Sequence, residues 1–231
     1  MKWIARALVL VLGGLVLAVL LVQAWFLAHV LWWERYNPGP TKVMEARLEA
    51  LRAKNPRAEL KHRWVDYDRI STHLKRAVIA AEDAKFIDHE GFDWEGIQRA
   101  LEKNQQRGKV VAGGSTISQQ LAKNLLLSGE RSYLRKGQEA VVTVMLESVM
   151  SKRRILEIYL NVAEWGEGVF GAEAAARHYF GVSAAALTPQ QAARLAAMLP
   201  RPQFYDRNRG SRYLATYTER ILARMPSAQV P

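Results

Sequence analysis

The chain has 231 residues, room for one anchoring segment and one sizeable domain, and it contains no cysteine, which excludes disulfides and thiolate metal centres. Its formal charge is +11, and +9 remains once Lys2 and Arg6, the only charges before Glu34, are set aside. Such a surface suits anionic lipid headgroups, pyrophosphates or nucleic acid.

Ala7 to Trp33 is a run of 27 uncharged residues. As a helix it measures roughly 40 Å, against a hydrocarbon core of about 30 Å, so it predicts one membrane-spanning helix over 7–33. Lys2 and Arg6 precede it. The positive-inside rule then keeps residues 1–6 cytoplasmic and sends the rest across the inner membrane into the periplasm. On that topology nucleic acid drops out as a partner. Trp25, Trp32 and Trp33 belong at the far interface, with His29 as an interfacial residue. A cleaved signal peptide is the competing reading, because Val22-Gln23-Ala24 loosely resembles a small-x-small site; against it, the apolar run continues past Ala24 to Trp33.

YNPGPT (36–41) is a Pro/Gly break, and 41–55 reads as a charged helix. Together 34–63 form a linker and juxtamembrane helix, and 64–231 a single, mainly α domain. WVDYD (64–68) alternates like a short strand. Leu74, Ala77, Val78 and Ala81 share one helical face; Trp94, Ile97 and Leu101 share another, with Asp93 as its cap. QQRGKVVA (105–112) and 128–131 read as loops. Arg135 to Leu160 is a long helical pattern broken near Ser151. AEAAARHYFG is a short helix ending at Gly181. LTPQQAARLAAMLPRP carries a capping box from Thr188 to Gln191, with Pro189 in the first turn and Pro200 and Pro202 stopping the helix.

GGSTISQQLAKN (113–124) places two glycines and two hydroxyls before a helical pattern. A capped helix start there attracts anions. On it, Thr116, Gln120 and Lys123 form one stripe, and Ile117, Leu121 and Leu125 a neighbouring apolar stripe. Glu82 closes the apolar run LKRAVIAA, where partial burial would raise its pKa towards the range of a general base. Asp83, Asp88 and His89 follow; read as metal ligands, they match no strong metal signature. Glu139 comes just after Arg131, Arg135 and Lys136, cations that favour its charged form. Two carboxylates in different environments are the usual requirement for chemistry at an anomeric carbon.

These segments resemble the family 51 peptidoglycan glycosyltransferases, in particular the short, membrane-anchored, monofunctional type. EDAKFIDHEG is similar to the family's first motif, GGSTISQQLAKNLLL to the second and RKGQEA to the third. KRRILEIYLNVAEWGEGVFGAEAAARHYFG is similar to the fourth, and LTPQQAARLAAMLPRP to the fifth; all five run in order from Glu82 to Pro202. Gln138 stands where some members have Lys, and Gln191 where many have Glu. Bifunctional relatives carry a transpeptidase domain; with no S-x-x-K or K-T-G and fewer than 30 residues after Pro202, no crosslinking activity is expected.

The resemblance implies a lysozyme-like helical domain that polymerises lipid II into β-1,4 glycan strands at the outer face of the cytoplasmic membrane. It assigns Glu82 as the base that takes the proton from the acceptor's 4-hydroxyl. Lys123, Arg131, Arg135 and Lys136 become counter-charges for the departing pyrophosphate, with Gly114, Ser115, Thr116 and Gln120 positioning it. Glu139 orients the cationic cluster or assists the leaving group, and Asp83 and His89 support the substrate site. No obligatory cofactor is expected; a divalent cation such as Mg2+ could bridge the pyrophosphate, although the sequence offers it no dedicated cage.

Two other readings compete. A peptidoglycan hydrolase also uses a glutamate on such a domain, but a neutral glycan does not require Lys123, Arg131 and Arg135. An anchored scaffold that recruits cell-division or elongation proteins would tolerate loss of Glu82.

Overall fold

The computed structural model describes residues 2–109, 113–127 and 132–231. It divides into two compact units, Met1–Asn37 and Pro38–Pro231. The predicted loop at 128–131 and residues 110–112 lie outside the described residues.

The first unit is one helix, α1 (Lys2–Arg35), long and apolar enough to cross a membrane. It takes in the charged residues on both sides of the predicted span, since nothing in them breaks a helix. His29 Nδ1 lies 2.8 Å from the Trp25 carbonyl, and its ring sits between those of Trp25 and Trp33, at 4.1 and 5.5 Å.

The second unit begins with α2 (Lys42–Arg52), capped by Thr41, whose hydroxyl accepts the Met44 N–H. The expected strand at 64–68 is not there. Residues Tyr67–Arg69 form a turn of 3-10 helix, and the strand lies earlier, as β1 (Lys61–His62). The physical reason is that side chains take the bonds a neighbouring strand would make. Asn161 receives the Val65 N–H and donates to the Val65 carbonyl, both at 2.9 Å, and Glu157 receives the Tyr67 N–H at 2.8 Å. A small sheet of order β1-β3-β2 is completed by β2 (Glu164–Gly166) and β3 (Val169–Phe170). β1 runs parallel to β3, pairing Lys61 with Val169, and β2 runs antiparallel to it.

Helices make up most of the rest. Ser71 caps α3 (Thr72–Glu82), and Asp93, the expected cap, opens α4 (Trp94–Arg107). α4 runs into the expected loop, because EKNQQR contains no helix breaker before Gly108, which closes the helix at φ +60°. After α5 (Ile117–Leu126), the long pattern resolves into α6 (Tyr133–Val149) and α7 (Lys152–Val162), with the break at Met150 and a cap at Ser151. Then come α8 (Ala172–Phe180), ended by Gly181, and α9 (Pro189–Met198) with its Thr188–Gln191 capping box. Pro202 does more than stop α9: it starts α10 (Pro202–Arg207), because a proline costs nothing where the first-turn N–H has no partner. α11 (Arg212–Arg224) follows.

Two packing layers hold the site. α3 packs on α9 and α11, where Leu74, Ala77 and Val78 meet the small side chains Ala192, Ala193 and Ala196, all without exposed surface. α5 packs on α6 and α7 through Ile117, Leu121, Val142, Leu146, Ile155 and Leu156. The end of α3 and the start of α5 carry the polar residues between these layers.

Candidate active site

Glu82 is the last residue of α3, half-buried, and Asp83 turns the chain away from the helix axis. Burial pushes the Glu82 carboxyl above its ordinary range; a hydrogen bond from Gln120 and the charge of Lys123 oppose the shift, while Asp83 adds to it. The expectation of a raised pKa therefore holds, and for the stated reason. Gln120 Nε2 donates to Glu82 Oε2 at 2.8 Å.

Asp83 is buried and faces away from solvent. One of its oxygens accepts from His89 Nε2 at 2.9 Å, the other from the backbone N–H of Ile117 at 3.0 Å. His89 Nδ1 accepts the Gly91 N–H, which leaves Nε2 to carry the hydrogen it shares with Asp83. Asp83 and His89 thus tie the turn after α3 to the first residue of α5. Below them, Lys152 Nζ reaches the His89 carbonyl at 2.5 Å and Glu147 at 2.8 Å, and Ser118 donates to Glu147.

The start of α5 explains the segment GGST. Thr116 and Gln119 form a capping box, and the Thr116 hydroxyl also donates to the Gly91 carbonyl at 2.7 Å. Thr116 is buried, so its hydroxyl organises the loop. A Cβ on Gly114 would stand 3.0 Å from the Ile97 Cα, which makes that position a close approach to α4. Ser115, Gln120 and Lys123 are left to face an open space.

That space is a cavity of about 550 Å³ lined by Ser115, Gln120, Lys123, Arg135, Lys136 and Glu139, among others. Glu139 is buried and pairs with Lys136 Nζ at 2.5 Å. A second cavity of about 190 Å³ is lined by Glu82, Asp83, Gly114, Ser115 and Thr116 together with Asp93 and Arg224. Ser115 belongs to both walls, and Gln120, which lines the first, bonds Glu82 in the second. Arg131 lies outside the described residues.

Several contributors carried no readable signal. Tyr159 sits among the apolar residues of α7 and donates to Gln120 Oε1 at 3.0 Å. Tyr217 and Arg224 come from α11, over 130 residues after Glu82; the Tyr217 hydroxyl donates to the Ala81 carbonyl. Only Asp93 was legible, and as a cap.

Among the described residues no three His, Asp or Glu side chains converge as a metal cage. Two of the carboxylates that line the cavities are engaged: Asp83 by His89 and Ile117, Glu139 by Lys136. The described residues thus form no dedicated cage for a divalent cation.

A family model described as transglycosylase matches residues 49–226, which takes in both cavities and every described site residue. The chain belongs to the transglycosylase family. Consistent with that family, the second unit is a lysozyme-like helical domain and the protein an enzyme of glycosyl transfer. Proteins named biosynthetic peptidoglycan transglycosylase are similar along the whole chain: that of Dechloromonas aromatica is 63% identical over 231 residues, covering 100% of both chains. That of Aromatoleum aromaticum is 62% identical with the same coverage, and that of Janthinobacterium sp. is 62% identical over 216 residues, 94% of each chain. In this transglycosylase the matched region runs from the last turn of α2 through α11, and α1 precedes it.

Proposed function

We propose that this transglycosylase polymerises lipid II into β-1,4 glycan strands of peptidoglycan by direct displacement at the donor's anomeric carbon. The 4-hydroxyl oxygen of the acceptor sugar attacks that carbon as Glu82 takes its proton. The bond from carbon to pyrophosphate breaks, and its electron pair leaves with the polyprenyl pyrophosphate. One displacement turns an α-linked donor into a β-linked product, and no covalent enzyme intermediate forms.

The single observation that carries this reading is the shared wall. Glu82 and the cationic cavity lie on two sides of Ser115 and Gln120, so a base and an anion site face one reacting centre from neighbouring chambers. Lys123, Arg135 and Lys136 supply positive charge where the leaving group develops negative charge, an electrostatic contribution that is commonly large. Glu139 holds Lys136 in place. Glu82 Oε2 is occupied by Gln120, while Oε1 receives no hydrogen bond from the described residues and is the oxygen for the acceptor's proton.

α1 anchors the enzyme in the cytoplasmic membrane, with residues 1–6 on the cytoplasmic side and the catalytic unit on the periplasmic side. This places the cavities where a lipid-linked substrate is presented. The test is polymer formation by the purified full-length protein on lipid II. Glu82→Gln is expected to lose on the order of 10²–10⁴-fold in rate with its fold intact; near-normal polymerisation by that variant would remove Glu82 from the role.

A further inference from the structure

We infer that Tyr159 is a positioning residue for the base: its hydroxyl orients the Gln120 amide so that an N–H, and not the carbonyl, faces Glu82. The inference rests on the reading of Glu82 as the base. Its geometry is a three-residue chain across α7, α5 and α3. Tyr159 donates to Gln120 Oε1 at 3.0 Å, and Gln120 Nε2 donates to Glu82 Oε2 at 2.8 Å.

A primary amide has a donor end and an acceptor end of nearly equal shape. Which end meets a carboxyl group decides which charge state it supports: an N–H favours the carboxylate, a carbonyl favours the protonated acid. Without an outside contact, the Gln120 amide could turn either way. Tyr159 biases that freedom: if the amide turned, the buried phenol would accept from Nε2 and its own hydrogen would lose its acceptor. Its side chain is buried, on a helix whose own start is capped by Ser151. Burial and the charges of Glu82 and Asp83 push the phenol well above its ordinary pKa, so the hydroxyl keeps its proton and stays a donor.

The other groups that face Glu82 act differently. Asp83, next in the chain, opposes its ionisation and Lys123 of α5 supports it. Tyr217 of α11 directs its hydroxyl to the Ala81 carbonyl, and Asp93 and Arg224 line the same small cavity. Among the described residues, the hydrogen bonds of the Gln120 amide go to Glu82 and Tyr159. Tyr159 thus acts through Gln120, holding the base ready to accept a proton in surroundings that otherwise favour its neutral form.

The experiment is the pH profile of kcat/KM for lipid II polymerisation by full-length Tyr159→Phe, which removes one oxygen and keeps the ring. The acid limb is expected to move to higher pH, with rates on that limb about tenfold lower, the size of one lost hydrogen bond to a charged group. KM is expected to stay near the wild-type value. An acid limb that stays in place, or a loss that is uniform at every pH, overturns the inference. Should the phenylalanine variant melt early, 3-fluorotyrosine at position 159 keeps the hydroxyl and strengthens it as a donor. The limb then moves to lower pH, and an unmoved limb again overturns the inference. Glu82→Gln separates the two layers. If it polymerises lipid II normally, the base assignment itself fails; if it is inactive while the Tyr159→Phe limb is unmoved, only the positioning role fails.

Discussion

Gly91 and Thr143 approach so closely that only a hydrogen fits between them: a Cβ at position 91 would stand 2.7 Å from Thr143 Cγ2. Gly91 also has φ +90°, a conformation that L side chains resist. The contact joins the turn after Glu82 to α6, on which Glu139 lies. Gly91→Ala is therefore expected to destabilise the second unit by about 2 kcal/mol or more, the combined effect of backbone strain and overpacking. Urea unfolding followed by circular dichroism measures it, and a variant as stable as the parent would contradict the geometry.

Lys123 stands between the two carboxylates' surroundings, supporting ionisation of Glu82 while lining the larger cavity. Lys123→Ala is expected to slow polymerisation by roughly 10²-fold or more, as loss of a preorganised charge does. The acid limb of its pH profile should also move to higher pH, because one opposing influence on the Glu82 shift is gone. Steady-state rates on lipid II across pH provide both readings. An unchanged rate would take Lys123 out of the pyrophosphate site.

Glu82 makes the folded state weaker at neutral pH. Its folded pKa is raised above the unfolded value, so between the two the folded protein binds more protons than the unfolded chain. The sign follows: stability is fully present below the unfolded value and is lost as pH rises through the folded one. Glu82→Gln removes the titration. It is expected to melt higher than the wild type near neutral pH, because the titration that weakens the folded state is gone. Below the ordinary carboxylate range the two should converge. Calorimetry at several pH values checks this, and a variant that melts lower throughout would count against a base held at the expense of stability.

What could be read from residues alone was what repeats locally. The capping box at Thr188, the end of α8 at Gly181 and the break before Ser151 depend on neighbours three or four positions away, and the structure contains each of them. The apolar stripe Ile117, Leu121, Leu125 is buried for the same reason. Val65 and Tyr67 were misread because their backbone partners, Asn161 and Glu157, lie over 85 residues away and are side chains. In the site, Ser115, Gln120, Lys123, Arg135, Lys136 and Glu139 share one cavity, whereas Asp83 and Thr116 line the smaller one and His89 bonds Asp83. Tyr159 was invisible, since a tyrosine on an apolar face reads as core until the glutamine opposite it is known.

The short parallel pairing of Lys61 with Val169 and of His62 with Phe170 has a consequence for biosynthesis. Glu82 is made early, yet the segments that enclose it come from both sides of that pairing, and Tyr217 and Arg224 arrive last. A ribosome-tethered chain therefore lacks part of the wall beside Glu82 until α11 has emerged. The small cavity is complete only when the last helix of the chain has been made, long after α1.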